Sequence, residues 1–169
     1  IKRVAEKGDP ERLLALLPHI NEYCKDEFYT PLVSILLGWQ PLPLEAAAKH
    51  LSDSHSETVQ VAAQILGRAG PDAAAAHGKA VSDGLQKALA DYNEAYRAFV
   101  DNRGPRAECQ RLSEHVNHLL WASGRMRIGA DVVVSAATLD AAGDTARSIR
   151  LAAITALSQG EPSTAAIEA

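Results

Sequence analysis

Aromatic residues make up only 5% of the 169-residue chain, which holds two cysteines and a single methionine. No apolar run approaches the roughly 20 residues that a membrane-spanning helix needs. No charged-then-apolar leader opens the chain. Alternating apolar and polar residues never persist, and Val132-Val133-Val134 is too short to signal a strand. The chain also lacks a Gly-rich phosphate loop, a Gly-x-Ser-x-Gly elbow and a Cys-x-x-Cys pair, so the familiar signatures of nucleotide, hydrolase and thiol-redox chemistry are missing. Lysine is absent beyond Lys87, and the formal net charge of -4 argues against a general polyanion binder.

What remains is a helix-forming composition. Hydrophobic residues reach 47%, charged ones 22%, and mean hydropathy is -0.11, the profile of a folded globular chain. Alanine and leucine supply most of the apolar content, and both favour closely packed helices. Cys24 and Cys109 leave a disulfide open, but reduced, half-buried thiols in a cytoplasmic setting are the expectation. The chain opens Ile1-Lys2-Arg3-Val4 without an initiator, so a segment of a longer protein is expected.

Breakers divide the chain into helix-length pieces. Gly8-Asp9-Pro10 reads as a helix start, with Asp9 as N-cap and Pro10 at the first helical position. A helix over 22–38, bent at Pro31, precedes the turn Gly38-Trp39-Gln40-Pro41-Leu42-Pro43. Helices are expected over 44–51 and over 57–69, the latter capped by Ser56 and ended by Gly70-Pro71. A long alanine-rich segment reaches about Val100, weakened by Gly78 and Gly84 and open to division into two helices. Asn102-Arg103-Gly104-Pro105 breaks the pattern again, and helices over 106–123, 128–142 and 146–159 follow.

An internal repeat is the most informative feature. Val59-Gln60-Val61-Ala62-Ala63-Gln64-Ile65-Leu66-Gly67-Arg68 aligns with residues 116–125 at an offset of 57, keeping the Gly-Arg pair. Ile149-Arg150-Leu151-Ala152-Ala153 aligns with residues 59–63 at an offset of 90, and Gly160 and Pro162 follow as Gly70 and Pro71 do. The last two copies stand 33 residues apart, and a weaker copy at 27–37 precedes the first by about 30. Two helices per 30-odd residues is the sign of an α-solenoid, in which each helix pair buries its apolar stripe only against its neighbours. The longer gap leaves about 25 extra residues, so 71–105 reads as an elongated helical insertion.

On these residues the chain resembles the HEAT-like repeat family, particularly its short phycobilisome-lyase-type form. Residues 57–74 and 147–163 carry the Ala-Ala, Leu-Gly and Gly-x-Pro-like pattern best, and 114–130 moderately. The resemblance implies an all-α, right-handed α-α superhelix of antiparallel helix pairs, a single HEAT-like domain over 1–169. It implies a non-catalytic protein–protein interaction scaffold with a protein or peptide partner, and no cofactor. The surface-lining residues are then Gln60, Gln64, Arg68, Asn117, Trp121, Arg125 and Arg150. A bilin-lyase-like or other HEAT-repeat enzyme is the alternative; nucleic-acid binding through the arginine-rich stretch Arg97–Arg127 is a further one, weakened by the net acidity. His115 and His118 lie near Cys109 with metal-like spacing, but a second ligand pair is lacking, so neither a metal nor a catalytic residue is expected.

Overall fold

The first helix begins as its sequence requires. The Asp9 carboxylate accepts the Glu11 N–H at 3.0 Å, and Pro10 follows where its missing N–H costs nothing. The computed structural model describes residues 8–20 and 25–159. Helix α1 spans Pro10–Leu16, and Pro18 tightens the chain into a 3₁₀ turn, Leu17–His19. A π turn, Lys25–Tyr29, leads into α2, Thr30–Leu37. The helix expected over 22–38 is thus seen over 25–37 as a π turn that passes directly into α2, with Pro31 at the start of the α-helical part; residues 22–24 lie outside the described residues. Tyr23 and Cys24 lie outside the described residues, as do Gly160 and Pro162.

Helices α3, Leu44–Lys49, and α4, Ser56–Ala69, come next. His55, not Ser56, precedes the first turn of α4, and the Ser56 hydroxyl has no hydrogen-bond partner. Asp53 instead accepts the His55 N–H at 3.0 Å, fixing the entry of the chain. After a 3₁₀ turn at Gly70–Ala73, α5 runs unbroken over Ala74–Val100. Gly78 and Gly84 do not divide it. A Cβ at Gly78 would lie 3.3 Å from Ile128, and one at Gly84 would lie 3.6 Å from Leu51. Gly78 lets Ile128 come closer than most side chains would allow, whereas a Cβ at Gly84 would make only ordinary contact; each glycine costs the helix about 1 kcal/mol relative to alanine.

Helices α6, Arg106–Met126, α7, Ala130–Ala137, and α8, Asp144–Gln159, complete the described chain, which contains no strand. α7 ends well before residue 142. Arg150 donates to the carbonyls of Leu139 and Ala141 at 3.0 and 2.8 Å, and the Tyr96 hydroxyl accepts the Ala142 N–H at 2.9 Å. Side chains thus take up backbone groups that a longer helix would have bonded to itself.

The helices pack in sequential pairs, α3 with α4, α5 with α6 and α7 with α8. α6 lies between α4 and α8, while α1 touches α3, α3 touches α5 and α5 touches α7. Two sets of repeat-related positions share their burial, Val59, Val116 and Ile149 and again Ala63, Leu120 and Ala153, while Leu151 is exposed where its counterpart Val61 is fully buried. The repeated glycines explain how closely the second helices approach. A Cβ on Gly124 would stand 2.7 Å from Ala156 Cα, and one on Gly67 would stand 2.3 Å from the Trp121 ring. Asn117 donates to the Ser148 hydroxyl at 2.9 Å, so α6 and α8 touch at both of these levels and run parallel. Residues 71–105 enter this packing through α5, whose buried Val81, Leu85 and Leu89 join the same core. Among the described residues, no helix is long and apolar enough to cross a membrane.

Candidate functional site

On α4, residues 60, 64 and 68 recur every four positions, and four-residue steps keep side chains on one helical face. Asn117, Trp121 and Arg125 repeat that spacing on α6, at the repeat offset of 57. Because α4 and α6 pack side by side, the two stripes meet. Gln60, Ala63, Gln64 and Arg68 from α4, with Asn117, His118 and Trp121 from α6, line one groove of about 550 Å³. The structure therefore brings together Gln60, Gln64, Arg68, Asn117 and Trp121 among the residues picked out from the repeat.

The groove's polar groups are partly preset. Tyr29 donates to Gln60 Oε1 at 3.3 Å, and Arg68 donates to the Leu37 carbonyl at 3.2 Å. Asn117 Nδ2 is held by Ser148, while its Oδ1 is buried with no hydrogen-bond partner. Trp121 lies over Gly67 with 40% of its surface exposed, a large apolar area to leave in water. His118 is half-buried, and desolvation pushes its pKa below the usual histidine value, so it is neutral near pH 7.

Arg125 and Arg150 are placed differently. Arg125 is exposed one turn beyond Trp121, outside the groove lining. Arg150 occupies the slot equivalent to Gln60 and Asn117, yet its guanidinium turns to the carbonyls between α7 and α8 and holds that turn. Ala63 and His118 line the groove without having been singled out for it. Small size at position 63 and the four-residue step from His118 to Ala122 gave no polar signal to find them by.

A second concavity lies on the α5 side of α6. It is small, about 170 Å³, and is lined by Asp53, Lys87, Asp91, Arg111 and His115 among others. Arg111 grips Glu108 with two hydrogen bonds, at 3.0 and 2.6 Å, and the Ser54 carbonyl at 2.7 Å. Burial alone would raise the Asp53 carboxyl, but hydrogen bonds from the backbone and ring of His55 and from His50 hold it low. His115 is buried, and its Nε2 has no partner. Desolvation, helped by the charges of Arg111 and His118, lowers its pKa to about 4. His115 and His118 thus line different cavities, and no group of three potential metal-ligating side chains converges among the described residues.

The arginines from 97 to 127 are dispersed. Arg103 pairs with Asp101 and Arg111 with Glu108, while Arg106 and Arg125 stand near opposite ends of α6, about 28 Å apart along its axis. Trp39 lines a separate concavity of about 540 Å³ with Pro41, Pro43 and the carboxyl-bearing Asp9, Glu11 and Glu45. No family model, curated protein or solved structure matches this chain.

Proposed function

We propose that this chain is a non-catalytic interaction scaffold, a short HEAT-like α-solenoid that holds a protein or peptide in the groove between α4 and α6. One observation carries the reading: repeat-equivalent residues of two successive helix pairs line a single open groove with an exposed tryptophan in it. Surface tryptophans flanked by arginine and amide side chains are common anchors of protein interfaces. The neighbour-to-neighbour packing of first helices on first helices and second on second supports the solenoid. The buried thiol of Cys109 suits a cytoplasmic setting.

The pocket around His115 supports catalysis less well. Its volume of about 170 Å³ falls below the roughly 300–1,000 Å³ typical of small-molecule sites, and its charged groups are engaged with one another. The test compares proteins retained from an extract by the unaltered chain and by Trp121→Ala combined with Arg125→Ala. A partner bound by the first and lost by the second, at unchanged helical circular dichroism, is the expected outcome. Equal retention by both would remove the groove from consideration.

A further inference from the structure

We infer that the groove's occupant is an extended peptide carrying carboxylate side chains next to a large apolar one. The inference rests on the groove being a binding surface, and it adds the chemistry of the partner. Gln60 and Gln64 offer amide donors and acceptors suited to a peptide main chain, whose every residue brings one of each. Trp121, lying over Gly67 with Ala63 nearby in the lining, is a flat apolar platform for one large side chain.

Charge selects among such peptides. Arg68 borders the groove and Arg125 stands one turn beyond Trp121, each in the last turn of its helix. Neither takes part in an ion pair among the described residues, as is also true of Arg97, Arg106, Arg127 and Arg147, so what sets these two apart is their place at the groove. The acidic residues at the repeat-equivalent positions, Glu57 in the first turn of α4 and Glu114 near the middle of α6, lie about 16 Å back along each axis. That distance exceeds the Debye length of about 8–10 Å at ordinary salt, so these carboxylates screen the guanidiniums little. The nearer carboxylate is Asp72, in the turn after α4 where Gly70 meets the Arg125 backbone; two guanidiniums against this one carboxylate leave this end of the groove locally cationic on a chain of net charge -4. Guanidinium forks bind carboxylates through two parallel hydrogen bonds, which gives a peptide's acidic group both attraction and a fixed position.

The two tryptophans of the chain make the test direct. In the ¹⁵N-labelled protein the Trp121 indole N–H resonance is assigned by its persistence in Trp39→Phe. Three short synthetic peptides are titrated: one with Asp and Glu beside Leu and Phe, one with Asn and Gln in their place, and one with Lys. The acidic peptide is expected to move the Trp121 resonance and to bind about tenfold more tightly than the amide peptide, a preference that weakens as salt rises. Arg68→Gln with Arg125→Gln should erase the preference, bringing the affinity of the acidic peptide down to that of the amide peptide. Equal binding of the acidic and amide peptides, or preference for the lysine peptide, overturns the assignment of an acidic partner while leaving the groove as a peptide site. Binding of none of the three at millimolar concentration overturns both.

Discussion

Gly124→Ala probes the packing on which the groove is built. In an exposed helix this change would stabilise by about 1 kcal/mol, because alanine is the better helix former. Here the new methyl would lie 2.7 Å from Ala156 Cα, 3.0 Å from its Cβ and 3.1 Å from its carbonyl oxygen. All three distances are below van der Waals contact, and two of the atoms are backbone, so no rotamer change relieves the clash; α8 must shift bodily. Overpacking a tight contact costs about 1–3 kcal/mol, with rigid backbone at the upper end. The net is a loss of about 2 kcal/mol, which for a chain of this length lowers Tm by about 4–8 °C. Gly67→Ala is the internal control. Its methyl would meet the edge of the Trp121 ring, which can swing outward, so stability should change by under about 1 kcal/mol while the indole fluorescence shifts. Thermal unfolding followed by circular dichroism and fluorescence measures both. A Gly124→Ala protein as stable as the unaltered chain would refute the close crossing of α6 and α8.

Three other outcomes are expected. Arg150→Met should cost about 1–3 kcal/mol in urea unfolding by stripping two carbonyls of their donor, yet leave peptide binding in the groove intact. His115 binds its proton more weakly folded, near pH 4, than unfolded, near 6.5, so its contribution to stability is full above that window and falls as pH drops through it; the loss between pH 7 and 5 should be roughly 1–2 kcal/mol and shrink in His115→Leu. Cys109 is buried with its thiol pKa raised by desolvation, so in a Cys24→Ser background it should react with a thiol reagent at least about tenfold more slowly when folded than in urea.

Much of the helix pattern was legible because its breaks are covalent in origin. Asp9-Pro10, Gly70-Pro71 and Gly104-Pro105 cannot continue a helix in any tertiary setting, and α1, α4 and α6 begin or end there. Gly78 and Gly84 misled because a glycine that interrupts a helix looks the same in sequence as one that a packed helix carries, whether to admit a neighbour, as at Gly78, or not. The early end of α7 was hidden for a related reason: it depends on Arg150 and Tyr96, which arrive from other helices. The groove was legible through the 57-residue offset, since equivalent positions of stacked units share a face. Arg150 escaped that logic because its side chain is long enough to leave its slot and bond the preceding turn. The polar pocket of His115 was beyond reach, since the loop at Asp53, α5 at Asp91 and α6 at Arg111 meet only after packing.

The central claim is that the α4–α6 groove is where a partner sits, and a photo-activated cross-linker tests it most directly. Benzoylphenylalanine placed at Gln64, in the groove, is compared with the same group at Gln86, exposed on α5 away from the groove. A discrete cross-linked partner from Gln64 and none from Gln86 is the result the account predicts. The same partner cross-linking from Gln86 as strongly as from Gln64 would contradict it.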